Sequence, residues 1–474
     1  MQFKEIDVRN KLYKAKEALR ARNASEIESS LESSLESLVE ILTFLLSKFG
    51  KNSQNSNIPP SQDPFRKKRK KTTPGSKPGG QKSHKGSFLP QQEPDKIVQL
   101  TINKDILPSS ETFIPLEPEK RQVIDVKLQV YVTEYQAEVL QDSKGKKYRA
   151  LFPDEVNATV QYGTTVRSLA CYMMQYQMLP YERAAYFFKQ QFGLPISTGS
   201  LAHYNSQAAM LLEEFRHIAI NELKNAQVLH ADETGVNISG SSYWLHSASS
   251  QLWTYFQVEK KRGLEGMENI GLLKDFSGVM IHDNWTAYFW YKNARHALCN
   301  AHQIRELTAI VETQKFQWPK KMLDLLCETN QEKHLLIEHS CVFSQERIQQ
   351  IHQDYDIIIT DGIKECFEPE HDFSKKMKRT DAQNLLIRLR AKKIETLNFL
   401  NPHIPFTNNQ AENDIRMVKV KQKISGCFKN LKTPNDSSII RSFISTCLKQ
   451  GIEVATALDQ LFKGILPNFK LHPS

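Results

Sequence analysis

The chain has 474 residues and a formal net charge of +10, from 63 Lys and Arg against 53 Asp and Glu. That length exceeds one ordinary core, and 40% hydrophobic with 24% charged residues excludes a disordered or fibrous chain, so a multidomain globular protein is expected. No run approaches the ~20 apolar residues of a membrane span, the charged N-terminus lacks the apolar core of a secretory leader, and a pI near 9 favours a polyanionic partner such as nucleic acid.

Residues 1–50 read as one long helix. Leu31, Leu35, Leu38, Leu42 and Leu45 follow a 4, 3, 4, 3 spacing that Ile27 extends backward, the a/d seam of a coiled coil and a route to self-association through 27–45. An amphipathic helix packed on its own domain fits the same pattern. Residues 51–95 are rich in Asn, Ser, Pro, Gly and Lys, with too little to bury to offset the entropy of ordering, and are expected to form a flexible basic arm. Arg66, Lys67, Lys68, Arg69, Lys70 and Lys71 form an unbroken cationic run that would bind phosphates through counterion release without reading sequence.

Residues 96–150 are expected to form a small β-rich unit. Val98–Ile102 and Val123–Val132 carry β-formers, and Asp142 to Gly145 is a plausible hairpin turn. Residues 151–226 read as helical. Tyr181–Gln191 and Thr198–Glu214 resemble a helix-turn-helix, with Ser197 as the second helix's N-cap. That helix opens without Arg or Lys, so a scaffold role and a DNA-reading role both stay open.

From 227 the pattern changes to strands: Gln227–Ala231, Tyr243–Ala248 and Leu252–Val258, a helix over Gly263–Leu273, then Gly278–His282 and a strand including Ala297 and Leu298. A helix from Ala301 follows. Residues 303–405 read as a helical insertion, and 406–474 hold a well-marked helix, Asn409–Lys423, with more helix over 437–464. Two apolar runs stop on carboxylates, Asp232 and Asp283, which places both side chains on rigid elements. In the helix from Asn409, Ala411, Ile415 and Val418 form the buried stripe, while Glu412, Arg416, Lys419 and Lys423 share an adjoining face suited to metal and phosphate. Asp232, Asp283 and Glu412 are hard oxygen donors suited to Mg²⁺. Glu233 alternates to the other face of its strand, Asp414 lies some 200° round its helix from Glu412, and Asp275 precedes its strand.

These pieces together, NSQNSNIPPSQDP (52–64), GGQKSHKG (79–86), HADET (230–234), HDNW (282–285), CNAH (299–302) and FTNNQAENDIR (406–416), resemble the large transposase of the insertion sequence 66 family. The resemblance implies a DDE transposase with a ribonuclease-H-like mixed-sheet catalytic core, whose acids would be Asp232, Asp283 and Glu412. The core would be split between 227–302 and 406–474 by the helical insertion. The implied cofactor is two Mg²⁺ or Mn²⁺ ions, with Asp232 expected to bridge both. Implied partners are DNA, as terminal inverted repeats and target, and small accessory transposition proteins. A bacterial cytoplasmic location follows.

Two features depart from the family. Its cysteine pairs after the basic arm are missing, since no cysteine occurs before Cys171, so no zinc is expected in 96–150. Asn284-Trp285 follow the second Asp where relatives often have Gly-Tyr. The seven scattered cysteines suggest reduced thiols; Cys299 with His302 offers two ligands, one pair short of a zinc site, so a packed structural role is expected for them and no zinc is expected in the chain. A domesticated, non-catalytic DNA-binding protein is the alternative, and a nuclease of the same fold would cut without joining.

Overall fold

A computed structural model describes residues 89–471 apart from 104–106, 109, 127, 368–378, 427 and 429. The leucine seam of 27–45 and the cationic run Arg66 to Lys71 lie outside the described residues. The chain divides into two compact units, one including Ala158–Phe188 and Pro195–Ser474, the other Lys67–Asn157 with Lys189–Leu194.

The second unit corrects the sequence reading. Its ordered ladder among the described residues is a single hairpin, β1 (Val139–Gln141) paired with β2 (Lys147–Arg149). The turn falls where expected, with Asp142 accepting from the Lys144 and Lys146 amides at 2.9 Å. The segments 98–102 and 123–132 form no strands, and Val98, Leu100, Ile102, Val123, Val126 and Val132 face solvent. Alternating apolar residues form a strand only when a partner strand and a covering face meet them, and here neither does.

The first unit begins with helices α1 (Thr164–Cys171), α2 (Tyr181–Phe192), α3 (Thr198–Leu211) and α4 (Glu213–Lys224). Ser197 caps α3 as the sequence predicts, accepting from the Ser200 amide at 3.0 Å. The sheet follows: β3 (Val228–Ile238), β4 (Ser241–Ser249), β5 (Thr254–Glu259), β6 (Val279–His282) and β7 (Arg295–Leu298), in the order β5-β4-β3-β6-β7. β3, β4 and β5 form an antiparallel meander, while β6 and β7 run parallel to β3. The result is a five-stranded mixed sheet in an α/β unit.

β3 is twice the expected length. It continues through Asp232 to Ile238 because β4 pairs with it along the whole hairpin, from His230 opposite Ser249 to Ile238 opposite Ser241. The helix expected over 263–273 is shorter than predicted: α5 covers Leu264–Glu268, and a 3₁₀ turn follows at Leu273–Asp275.

After β7 come α6 (Asn300–Thr313), α7 (Trp318–Glu338), α8 (Gln345–Cys366), α9 (Asp381–Ala391) and α10 (Lys393–Leu397). They enclose an apolar cluster of their own around Trp318, Leu326, Tyr355, Leu386 and Leu389. The chain returns as α11 (Asn409–Ser425), α12 (Lys432–Lys449) and α13 (Val454–Phe462). Ile415 and Val418 of α11 pack on Val236, Leu245, Phe256 and Val258 of the meander, so the periodic stripe seen in the sequence is the buried one. The outer edge of β5 is closed by α12. Its Thr446 and Ser442 hydroxyls accept from the Thr254 and Phe256 amides at 3.1 and 2.8 Å, which satisfies donors that an open edge would leave for another chain. No described helix is long and apolar enough to cross a membrane.

Candidate active site

The parallel pairing of β3 with β6 sets two carboxylates side by side. His230 lies opposite Ile281, so Asp232, two residues on, aligns with Asp283, just past the end of β6. Each is oriented by the backbone that follows it: Asp232 Oδ1 accepts from the Glu233 amide at 2.9 Å, and Asp283 Oδ1 from the Trp285 amide at 2.9 Å. Glu412 arrives from the first turn of α11, more than a hundred residues later.

How α11 is brought to the sheet depends on Asn408, a buried residue that the sequence reading passed over. Its Nδ2 donates to the Ala231 carbonyl at 2.8 Å. Its Oδ1, which can only accept, takes the Nδ1 proton of His230 at 2.8 Å. Its backbone amide donates to Cys299 Sγ at 3.1 Å, and its carbonyl accepts the Glu412 amide at 3.2 Å. One side chain thus joins β3 to the start of α11, directly beside Asp232. Lys333 steadies the approach, donating from α7 to the Asn401 and Ile404 carbonyls at 3.0 and 2.6 Å.

The three acids interact electrostatically. Burial, followed by the nearby negative charges of Glu233, Asp283 and Glu412, pushes the Asp232 carboxyl from 3.8 up to about 8. Glu412 Oε1 is shut off from solvent and has no hydrogen-bond partner, and the Arg305 guanidinium stands 3.8 Å from it. Three carboxylates offer the hard oxygen donors that Mg²⁺ or Mn²⁺ takes, so the donor set fits such an ion.

The competing carboxylates are committed elsewhere. Glu233 is buried, ion-paired with Arg262 at 2.7 Å and receiving the Tyr288 hydroxyl at 2.5 Å. Arg262 lies between the rings of Trp244 and Trp285, 4.8 and 4.3 Å from their centroids, which gives Trp285 a place beside the second acid. Asp414 binds Lys449 at 2.8 Å and Ser445 at 3.1 Å, and Asp275 binds Lys224 at 2.7 Å.

The cations of α11 are divided. Arg416 and Lys423 are exposed, but Lys419 turns back onto the sheet and donates to the Gly235 carbonyl, which ties it to the fold. The pair Cys299 and His302 also differs from its sequence reading. Among the described residues, one trio of His, Cys, Asp or Glu brings three donor atoms within 4.8 Å of one another, and it is Cys299, His302 and Glu412. Glu412 was invisible in the sequence as a neighbour of this pair because it comes from a helix 110 residues away.

Against this geometry, comparisons with known proteins give two family matches. Residues 7–89 match a family of unknown function, DUF6444. No curated protein matches the chain. Residues 159–435, more than half the chain and all of the sheet with α6 to α11, match the model described as Transposase IS66 family. The chain belongs to the IS66 family of transposases.

Proposed function

We propose that the chain is a DDE transposase, which cleaves DNA strands at the ends of an insertion element and joins them to target DNA. Its catalytic carboxylates on this reading are Asp232, Asp283 and Glu412, carried on a ribonuclease-H-like core. The observation that carries the reading is the pairing of β3 with β6, which aligns Asp232 with Asp283 at a buried spot where burial first, and then the charges of Glu233, Asp283 and Glu412, lift Asp232 to about 8. The five-stranded mixed sheet, with one acid on its central strand and another just past the adjacent parallel strand, agrees with that core.

Asp232, Asp283 and Glu412 would hold two Mg²⁺ or Mn²⁺ ions, which when bound activate the attacking oxygen and stabilise the leaving one in phosphodiester displacement. The chain's own contribution is to place and orient. Backbone amides fix Asp232 and Asp283, and Asn408 fixes the turn that bears Glu412. Arg262, held between Trp244 and Trp285, neutralises Glu233 so that its charge does not add fully to the cluster. The exposed Arg416 and Lys423, with the run Arg66 to Lys71, would hold backbone phosphates. Self-association through 27–45 would bring two element ends together.

A strand-transfer assay with Mg²⁺ or Mn²⁺ and the element's own ends, run on wild type and Glu412→Gln, tests this. Joined product from wild type alone is expected. Cleavage without joining would indicate a nuclease, and end binding without metal-dependent product would indicate a DNA-binding protein that has lost catalysis.

A further inference from the structure

Cys299, His302 and Glu412 carry chemistry that three hard carboxylates do not require. Cys299 is the N-cap of α6; its Sγ accepts the Asn408 amide at 3.1 Å, and its carbonyl accepts the His302 amide at 3.2 Å. A backbone N–H donated to the sulfur is the kind of outer contact that orients a metal-binding thiolate. His302 stands in the first turn of the same helix, where α6 spacing turns its imidazole towards the sulfur. Its Nδ1 is shut off from solvent and has no hydrogen-bond partner. Glu412 Oε1 is in the same condition. Two residues that each carry an orphaned polar atom, one a nitrogen and one an oxygen, therefore stand with a buried sulfur in a trio whose donor atoms lie within 4.8 Å of one another. Buried polar atoms without partners are uncommon in a folded chain, and two in one spot call for an occupant that accepts electron pairs from both.

We propose that Cys299, His302 and Glu412 form a binding site for a borderline divalent transition-metal ion, of which Zn²⁺ is the type, on the Glu412 flank of the carboxylate cluster. The spacing suits it. Around a tetrahedral Zn²⁺ with bonds of about 2.0–2.3 Å, neighbouring donors lie roughly 3.3–3.8 Å apart. The three donor atoms here are within 4.8 Å of one another, so small side-chain rotations bring them to that distance. The ligand types select the ion: thiolate and imidazole favour Zn²⁺ or Co²⁺ and are poor partners for Mg²⁺. Three protein ligands leave the fourth position open, the arrangement of zinc sites that admit a further ligand. Arg305, 3.8 Å from Glu412 Oε1, lies beyond hydrogen-bond reach, so it balances charge without saturating the oxygen. The site shares Glu412 with the proposed catalytic cluster, but its test reads metal–thiolate absorption and not strand transfer, so failure of one reading is distinguishable from failure of the other.

Cobalt is the probe, because a Co²⁺–thiolate bond gives a near-ultraviolet charge-transfer absorption that oxygen and nitrogen ligands do not. The full-length protein is stripped with a chelator, titrated with Co²⁺, and then challenged with Zn²⁺. The expected result is a charge-transfer band that saturates at one equivalent of Co²⁺ per chain, whatever further Co²⁺ the carboxylates take up, and that Zn²⁺ bleaches. Cys299→Ser, which keeps an N-capping oxygen, should abolish the band. His302→Gln should weaken Co²⁺ binding at least about tenfold, since even outer-shell partners of a metal cost 10–100-fold. Far-ultraviolet circular dichroism confirms that each variant is folded, and if Cys299→Ser does not fold, His302→Gln decides. No band in the folded wild type, an equal band in folded Cys299→Ser, or unchanged affinity in His302→Gln would overturn the proposal.

Discussion

Asn408→Ala is the most informative single perturbation of this fold. It withdraws the donor that Ala231 O receives and the acceptor that His230 Nδ1 uses, both at 2.8 Å in a buried position. Leaving a buried donor or acceptor without its partner costs about 1–3 kcal/mol, so the two losses together destabilise the first unit by ~2–6 kcal/mol. The neighbouring Asn409 is exposed, and Asn409→Ala should stay within about 0.5 kcal/mol of wild type. Urea unfolding reads both effects as a lower midpoint with unchanged slope for Asn408→Ala and no change for Asn409→Ala. The second consequence is positional. Glu412 lies one helical turn beyond Asn408, and a misplacement of ~1 Å at a reacting group costs on the order of 100-fold in rate. The strand-transfer rate of Asn408→Ala should therefore fall by about two orders of magnitude at temperatures where the variant is still folded. A variant within 0.5 kcal/mol of wild type that keeps a tenth of its activity would refute the view that this side chain joins α11 to β3.

Two further predictions concern charge. The rise of the Asp232 carboxyl from 3.8 to about 8 means that the folded chain pays increasingly for ionising it as pH climbs through that range, on the order of 5 kcal/mol by pH 8 at 1.36 kcal/mol per pH unit. Asp232→Asn should accordingly raise the melting temperature of the metal-free protein at pH 8 and have little effect near pH 4. Mg²⁺ should stabilise wild type at pH 8 but not the variant, and equal Mg²⁺ stabilisation of both would remove Asp232 from the metal's ligands. His230 and His282 act with the opposite sign. Burial holds them at about 4 and about 3, below the ordinary 6.5, so their contribution is complete above pH 6.5 and is lost as pH falls and the unfolded chain takes up their protons. In the Asp232→Asn background, where the opposing carboxylate is gone, the unfolding free energy from urea titrations should fall between pH 6 and pH 4 at up to about 2.7 kcal/mol per pH unit. A flat profile there would mean that neither histidine is held neutral by the fold.

The sequence by itself determined what depends on near neighbours along the chain. Val279 to His282 reads as a buried strand stopping on Asp283 because four apolar or small-polar residues in a row can only be buried on both faces. Ala411, Ile415 and Val418 recur at helical spacing, and those three are the buried residues of α11. Ser197 announced a helix start because its side chain serves its own backbone three residues on. The tertiary structure alone decided whatever needed a partner from far along the chain. β3 runs on to Ile238 because β4 folds back along it, whereas the β-forming segments of 96–132 met no such partner. Lys419 shares a helical face with Arg416 yet is spent on Gly235, a carbonyl 184 residues away. Asn408 looks like any polar loop residue until Ala231, His230 and Cys299 are seen around it, and Cys299 with His302 is two ligands until Glu412 arrives. Periodicity records which face of an element is apolar. Which polar atoms meet across the core is set by packing, and polar pairings of that kind leave no periodic trace in the chain.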